Sequence, residues 1–383
     1  MPAGVRPVVG GLLTTGMLVA GLSGCGSAAA GNVITVNTGG CGTGWHQAHA
    51  GMQTFQISNS STGGAEVDLI NPANGAIYAE VDQVGPGTTV PMRVDLGSGR
   101  YAFRCLIEDT DTITGPAVRI GGHLRGAAGI LPVTSADLLG PAKAYHAYVT
   151  AGLTTLASQV GTLTGLIRAG RLGAARRAWL PAHLTYERLG AAYGTFGNYD
   201  TEIDGRPDGL PEGVSDPAFT GFYRLEYGLW HGQSAAELAA PAAALDRDVR
   251  ELRTLWPGME EDLTDLGLRT HEILENALEF QLTGHDDYGS GTTLATANAN
   301  ITGTYELLSI LRPLLVPRYR GLPSGYTWLS RLRTLLLAQQ HPDGSWTPVS
   351  RLSPRQREQI DAAASQALEE LAPIAVITEP RRS

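Results

Sequence analysis

The period of the apolar residues changes once along this chain, and that change restricts the fold more than any other sequence feature. Up to about residue 120, short β-branched and aromatic segments such as Ala65–Ile70 alternate with Gly, Pro, Asn and Ser. From Ser135 onwards, apolar residues recur every three or four positions, which is the spacing of one helical face. The clearest run is Val149, Leu153, Leu156, Val160, Leu163 and Ile167. The sequence therefore predicts a β domain followed by a helical domain.

The first region predicts a small antiparallel β-sandwich over residues 33–121. Short strand patterns separated by turn residues over about 90 residues are typical of such a domain. The predicted strands are 33–36, 54–57, 65–70, 76–81, 89–96, 99–106 and 117–120. The Gly-rich segment 122–137 is predicted to be a linker.

The second region predicts an all-α helical-bundle domain over residues 138–379. Gly170 is expected to end the first helix, and a second helix over 172–193 is expected to bend at Pro181. The acidic, Pro- and Gly-containing segment 198–215 is predicted to be a loop. Later helices are predicted at 219–230, 235–255, 259–282, 294–315, 326–340 and 354–371.

The amino-terminal segment predicts a lipoprotein signal peptide over residues 1–25. Arg6 precedes a short apolar stretch, and Leu22-Ser23-Gly24-Cys25 matches a bacterial lipobox, so Cys25 is the predicted lipidation site. An ordinary cleaved secretory signal is the alternative. With residues 26–32 as a linker, both interpretations predict an extracytoplasmic protein, and the first predicts a lipid anchor to the cell membrane. The net charge of −9, without a basic block, argues against a nucleic-acid partner.

Two further cysteines, Cys41 and Cys105, lie near the two ends of the predicted β domain. In an oxidising compartment two such cysteines usually form a disulfide bond, and this is the prediction. The alternative is that both thiolates bind a soft metal ion.

The helical region carries acidic side chains at spacings typical of metal ligands. His183 and Glu187 are four residues apart, and Tyr223 and Glu226 are three apart, so each pair shares one helical face. Further acids lie between these helices at Asp200, Glu202, Asp204 and Asp208. Carboxylate and phenol oxygens suit hard cations such as Fe³⁺, and an imidazole extends the range to Fe²⁺ and Zn²⁺. The alternative is that Glu187 pairs with a neighbouring arginine and that the other acids are solvated.

Two other segments allow a chemical interpretation. His271 and Glu275 share a helical face and, with Glu272 as base, resemble an incomplete zinc-protease motif, although surface ion pairing is the alternative. The Gly-rich, acidic segment 285–291 is predicted to be a solvated loop, and the alternative is that it lines the cleft.

Three segments of the helical region resemble the imelysin family, peptidase family M75. They are Tyr186-Glu187-Arg188, the segment 196–206 that includes Ile203-Asp204-Gly205-Arg206, and the helix start at 220–230. The resemblance is greatest to the EfeO/EfeM-type iron-uptake branch of the family, in which a cupredoxin-like domain precedes the helical domain. Cys41, the turn at 80–87 and Tyr101-x-x-x-Cys105 resemble the pattern of that β domain.

The resemblance implies a metal site formed by Glu187, Asp204, Tyr223 and Glu226. Tyr223 stands where the family has a histidine. A phenol binds Fe³⁺ as phenolate but is a poor ligand for Fe²⁺ or Zn²⁺ at neutral pH, so the substitution either favours ferric iron or weakens the site.

The resemblance also implies metal handling in the β domain, where Glu66, Glu80 and Glu108 are candidate oxygen ligands. The two histidines, cysteine and methionine of a blue-copper site are not found together there. The β domain is therefore interpreted as a structural or accessory metal-binding module.

The function that this resemblance implies is that of an iron-binding, non-enzymatic component of an EfeUOB-type uptake system. Such a protein binds Fe³⁺ or Fe²⁺, with copper or zinc as alternatives, and passes iron to a membrane permease. A haem-peroxidase-like partner is also implied. Two alternatives remain: a zinc metallopeptidase using His271, Glu272 and Glu275, and a degenerate family member acting as a cell-surface binding or scaffold protein.

Overall fold

The structure is a computed structural model that describes residues 32–381. The predicted signal peptide, the predicted lipidation site Cys25 and the linker up to residue 31 lie outside the described residues. Strands occupy the first part of the described chain, up to Ile120, and helices occupy the part from Ser135 to Thr378. The predicted β-sandwich followed by an all-α domain is confirmed.

The β domain consists of two sheets around one apolar core. The strands are β1 (Asn32–Asn37), β2 (Gly40–Thr43), β3 (Gly51–Asn59), β4 (Ala65–Ile70), β5 (Ile77–Val84), β6 (Thr89–Leu96), β7 (Gly99–Ile107), β8 (Ile113–Thr114) and β9 (Val118–Ile120). One sheet has the order β2-β1-β3-β6, and the other has the order β5-β4-β7-β8 with β9 beside β7. Alternating side chains from both sheets, such as Ile34, Phe55 and Phe103, fill the core between them.

One strand pairing departs from the predicted antiparallel pattern. β1 pairs in parallel with β3, with Ile34 opposite Ile57, and β1 also forms an antiparallel hairpin with β2. The chain therefore passes from β2 to the other side of β1 before β3 begins. The short strands β2 and β8 were not predicted, because Gly-rich and two-residue segments carry almost no alternating pattern.

Cys41 and Cys105 join the two sheets through a disulfide bond. Their sulfur atoms are 2.03 Å apart, and the bond connects β2 to β7 across 64 residues. Both cysteines are buried. The indole ring of Trp45 packs in this core against Phe55 and Phe103 at centroid distances of 4.9 and 5.6 Å.

Within the described residues, the helical domain contains eleven α-helices. They are α1 (Ser135–Arg168), α2 (Leu172–Glu187), α3 (Tyr193–Phe196), α4 (Asn198–Asp204), α5 (Gly221–Trp230), α6 (Ala235–Leu255), α7 (Asp265–Asn276), α8 (Thr293–Leu315), α9 (Leu322–Leu337), α10 (Pro354–Leu371) and α11 (Pro373–Thr378). Thr134, Ser234 and Ser353 begin α1, α6 and α10 with reciprocal capping hydrogen bonds. Between residues 32 and 381, no helix has the length and apolar character needed to cross a membrane.

Four predictions for the helical region were wrong. The helix predicted over 326–340 is α9, which begins at Leu322 and ends at Leu337. α2 ends at Glu187, because Gly190 and the following alanines form a tight turn that packs into the core. The predicted loop at 198–215 contains α4, in which the buried Ile203 anchors an otherwise acidic sequence. The helix predicted over 259–282 begins at Asp265 and continues as a π-helical turn at Ala277–Gln281. In each case long-range packing overrides the local pattern.

The linker and the carboxyl-terminal segment hold the two domains together. Ile130 and Ile77 exchange two backbone hydrogen bonds of 2.8 Å, so the linker pairs with the first residue of β5. Arg381 donates its backbone N–H to the Val133 carbonyl at 2.7 Å. Its Nε also donates to Glu80 Oε2 at 2.8 Å. A residue beyond the last helix therefore forms an ion pair with the β domain.

Glu261, before α7, makes folding stability dependent on pH. Its side chain is 7% exposed and its Oε2 lies 3.7 Å from His146 Nδ1. Burial raises the pKa of Glu261 from 4.5 to about 7. Because the folded state retains this proton where the unfolded state has lost it, this group lowers stability as the pH rises from 4.5 to about 7.

We expect Glu261→Gln to remove this contribution. The free energy of unfolding of the variant, relative to wild type, should be greater at about pH 8 than at about pH 5, as measured by urea titration. Gln at the exposed neighbour Glu260 is the control and should leave the pH dependence unchanged. The same variant-to-wild-type difference at both pH values would contradict the assignment.

Candidate metal site

Helices α2 and α4 bring an imidazole and two carboxylates together inside the helical domain. His183 and Glu187 lie one turn apart on α2, and Asp204 is the last residue of α4. His183 Nε2 is 2.9 Å from Asp204 Oδ1 and 3.0 Å from Glu187 Oε1. The three candidate ligand atoms all lie within 4.8 Å of one another. The structure thus groups two of the predicted ligands, Glu187 and Asp204, with His183.

In this group the buried carboxylate oxygens outnumber the N–H groups that can donate hydrogen bonds to them. His183 Nε2 carries at most one hydrogen, and the hydrogen bond goes to Asp204. Glu187 Oε1 is left buried without a donor. Its other oxygen, Oε2, accepts a hydrogen bond of 2.7 Å from the Asn300 amide in the orientation that satisfies both groups. An unpaired buried carboxylate oxygen is costly unless a cation compensates it.

The pKa of His183 shows the same excess of carboxylates over donors. Burial alone would lower the pKa of His183, but Asp204 and Glu187 outweigh burial and raise it well above its usual value. Burial also raises the pKa of Asp204 well above its usual value, so without a metal ion this group retains protons that a bound cation would displace.

Tyr223 on α5 lines the same cavity as Glu187 and Asp204. The cavity has an empty volume of about 550 Å³, part of it open to solvent. The Tyr223 ring lies edge-on to that of His183, at a centroid distance of 5.2 Å. The Tyr223 hydroxyl donates to Asp286 Oδ2 at 3.1 Å. Burial raises the pKa of Tyr223 well above its usual value, and the nearby carboxylates Asp204 and Glu187 add to this effect.

Glu226 is buried on the same helix but faces a different set of partners. Its Oε1 accepts hydrogen bonds from the backbone N–H groups of Tyr288 and Ser290, at 3.2 and 2.9 Å. Its Oε2 is buried without a donor. Burial raises the pKa of Glu226 to about 7, although the contacts with Ser290 act in the opposite direction. Of the four predicted ligands, only Glu226 is outside the set of cavity-lining residues.

Gly221 allows α5 to begin directly against the end of α4. Its φ is +79°, and a Cβ atom there would lie 2.1 Å from the Ile203 carbonyl oxygen. A residue other than glycine would therefore be strained and would push α5 away from α4. This close contact is what places Tyr223 near Asp204.

The segment 285–291, predicted to be a solvated loop, instead packs over the site. Asp286 in this segment is 2% exposed. Arg206, which follows α4, donates Nε to Asp286 Oδ1 at 3.0 Å. Gln281 donates Nε2 to Asp286 Oδ2 at 2.8 Å. No local sequence pattern predicts this network, although Arg206 lies within the family-like segment 196–206 and Asp286 within the Gly-rich segment 285–291.

The residues of the peptidase alternative do not assemble in the same way. Glu272 forms an ion pair with Arg269 at 2.8 Å, and Glu275 is exposed. Among the described residues, no group of three or more His, Cys, Asp and Glu at metal-binding distances includes His271 or Glu275.

The β domain contains a second group of acids. Glu66, Asp68 and Glu80 have candidate ligand atoms within 4.8 Å of one another. Two arginines already contact this group: Arg104 forms an ion pair with Asp68 at 2.7 Å, and Arg381 with Glu80 at 2.8 Å. Glu108, the third acid considered there, instead accepts a hydrogen bond from the Gly64 N–H.

The fold and this site define a two-domain protein with a β-sandwich and a helical bundle that buries an acid and imidazole cluster. The sequence pattern of the imelysin family, Peptidase_M75, matches residues 141–374, which span α1 to α11. The chain belongs to the imelysin family, as the resemblance predicted.

The curated relatives are similar over most of their length. The iron uptake system component EfeO of Yersinia pseudotuberculosis serotype I (strain IP32953) is 30% identical over 285 residues, which are 74% of this chain and 73% of the relative. EfeO of Yersinia pestis is 29% identical over 283 residues, again 74% and 73% of the two chains. EfeO of Escherichia coli (strain K12) is 27% identical over 270 residues, or 70% of each chain.

Proposed function

We propose that this protein is the iron-binding component of an iron uptake system. The observation that carries the proposal is the set of buried carboxylates without sufficient donors: Glu187 Oε1 and Glu226 Oε2 have no hydrogen-bond partner. A bound cation would compensate both the missing hydrogen bonds and the charge. The naming of the relatives as iron uptake components supports iron as the cation.

The proposed ligands are Glu187, Asp204, Tyr223 and Glu226, together with His183. His183, Glu187 and Asp204 have candidate ligand atoms within 4.8 Å of one another. Tyr223 lines the same cavity. Glu226 has a free buried oxygen on the neighbouring turn of α5. Because His183 must lose its Nε2 proton to bind a metal, iron binding is expected to release protons.

We further propose that the site favours ferric iron. Carboxylates and a phenolate are hard oxygen ligands, which match Fe³⁺ better than Cu²⁺ or Zn²⁺. His183 on α2 supplies an imidazole even though α5 carries tyrosine at the family's histidine position. The site therefore retains one nitrogen ligand and gains a phenol oxygen.

Substitution of Tyr223 tests this choice of metal. We expect Tyr223→Phe to lower ferric affinity by about tenfold or more and to abolish the visible absorption of a ferric phenolate. Tyr223→His should bind Zn²⁺ and Fe²⁺ more tightly than wild type. Calorimetry with each ion and absorption spectra of the ferric complex measure both effects. Equal ferric affinity and equal absorption in wild type and Tyr223→Phe would show that the phenol is not a ligand.

The cellular setting remains a proposal drawn from the sequence and the family. We place the protein outside the cytoplasm, anchored by lipid at Cys25, passing iron to a membrane permease and acting with a haem-peroxidase-like partner. The proposed domain limits are 33–121 for the β domain and 138–379 for the helical domain.

Globomycin, which blocks lipoprotein signal cleavage, should leave an uncleaved precursor in cells. Normal processing in its presence would argue against the lipid anchor.

A further inference from the structure

Asp286 joins three parts of the helical domain at the wall of the candidate metal site. Its carboxylate accepts hydrogen bonds from Tyr223 Oη on α5, from Arg206 Nε after α4, and from Gln281 Nε2 in the π-helical turn, at 3.1, 3.0 and 2.8 Å. The residue is 2% exposed. All three donors line the cavity that contains Glu187 and Asp204.

Arg206 is an unexpected neighbour for a cation site. Its guanidinium carbon lies 3.5 Å from the centroid of the Phe280 ring, which holds the group in place. Its Nε faces Asp286, and its side chain is 29% exposed. Like charges repel across such short distances, so an uncompensated guanidinium would weaken cation binding in this cavity.

We propose that Asp286 is a positioning residue of the iron site: before iron binds it holds the Tyr223 hydroxyl at the cavity wall, and it balances the charge of Arg206 throughout. This inference rests on the proposed function, that the cavity binds iron. Asp286 acts through Tyr223 and Arg206 and is not itself part of the group of candidate ligand atoms.

The Asp286–Arg206 pair could balance charge beside the cation or only support the fold, and the two roles predict different iron affinities for the variants. If Asp286 and Arg206 only hold the segments together, removing either charge should weaken iron binding to a similar extent. If they balance each other beside a cation, Asp286→Asn should weaken binding and Arg206→Gln should strengthen it. Glutamine at 206 retains an N–H donor for Asp286, so the fold is disturbed as little as the substitution permits.

The experiment is a titration of the full chain with ferric nitrilotriacetate, followed by calorimetry and visible absorption. The variants are Asp286→Asn, Arg206→Gln and the double variant. Glu279→Gln is the control, because Glu279 is an exposed acid in the π-helical turn that also carries Gln281. Thermal unfolding of each variant checks its fold. If Asp286→Asn does not fold, the direction of the Arg206→Gln effect decides the charge-balance claim.

We expect Asp286→Asn to bind ferric iron about tenfold or more weakly and to shift or lose the phenolate absorption. Arg206→Gln should bind more tightly than wild type, and the affinity of the double variant should lie between those of the two single variants. Glu279→Gln should match wild type. Weaker binding in both single variants, or an unchanged affinity and spectrum in Asp286→Asn, would overturn the inference. Failure of the unaltered protein to bind iron is a separate result, which would overturn the proposed function as well.

Discussion

Glu187→Gln is expected to lower iron affinity by more than about 100-fold, because it removes the carboxylate that lies against both His183 and the cavity. The same change should leave the metal-free protein at least as stable as wild type. Glu187 is one of two carboxylates that share the single His183 imidazole, so a neutral amide of the same shape removes one buried charge and leaves the His183–Asp204 pair intact. Loss of function without loss of stability is the result that identifies a binding site.

Calorimetry with ferric nitrilotriacetate and thermal unfolding without metal measure the two effects. Glu202→Gln is the matched control, since Glu202 is an exposed acid on α4 near the site and should bind iron as wild type does. Undiminished iron binding by Glu187→Gln would refute the assignment of this residue as a ligand. A large fall in the stability of the metal-free variant would instead indicate that Glu187 supports the fold.

Loss of the disulfide bond is expected to give the largest change in stability. Cys41 and Cys105 close a chain segment of 64 residues. For a loop of this length, the entropy of the unfolded chain predicts a loss of about 4 kcal/mol when both cysteines become serine. Because the bond joins the two sheets of a small domain, we expect the double variant to unfold the β domain separately and at lower urea concentration.

Urea titration followed by Trp fluorescence measures this effect, since Trp45 packs against the core of the β domain. Ferric titration of the same variant is the control, because the candidate metal site lies in the helical domain. Wild type in reducing agent should match the double variant. Equal urea midpoints for wild type and the double variant would show that the crosslink adds nothing to the folded β domain.

The local parts of the site were predictable from the sequence because helical spacing fixes them. His183 with Glu187, and Tyr223 with Glu226, had to share a helical face once their segments formed helices. The family-like segments also singled out Asp204 among four nearby acids. The change of apolar period likewise predicted the order of the two domains, because each period is set by backbone geometry alone.

The predictions failed where distant segments meet. α4 formed in a segment with a loop-like composition, because burial of Ile203 outweighs its acidic and glycine residues. Asp286 was predicted to be solvated, yet it receives a hydrogen bond from Tyr223, which lies 63 residues earlier. No local pattern reports such a contact, since it depends on how α5 and the segment after α7 pack.

The sequence by itself determined the two-domain order and the helical faces that carry the candidate ligands, and it favoured a disulfide between Cys41 and Cys105 over a thiolate metal site. Only the tertiary structure decided that His183 joins Glu187 and Asp204, that Glu226 faces the backbone of 288–290, and that Asp286 and Arg206 complete the wall. The physical reason is that periodicity depends on neighbours within one or two turns. The assembly of a site depends on which buried surfaces pack together, and here on the close contact of Gly221 with Ile203.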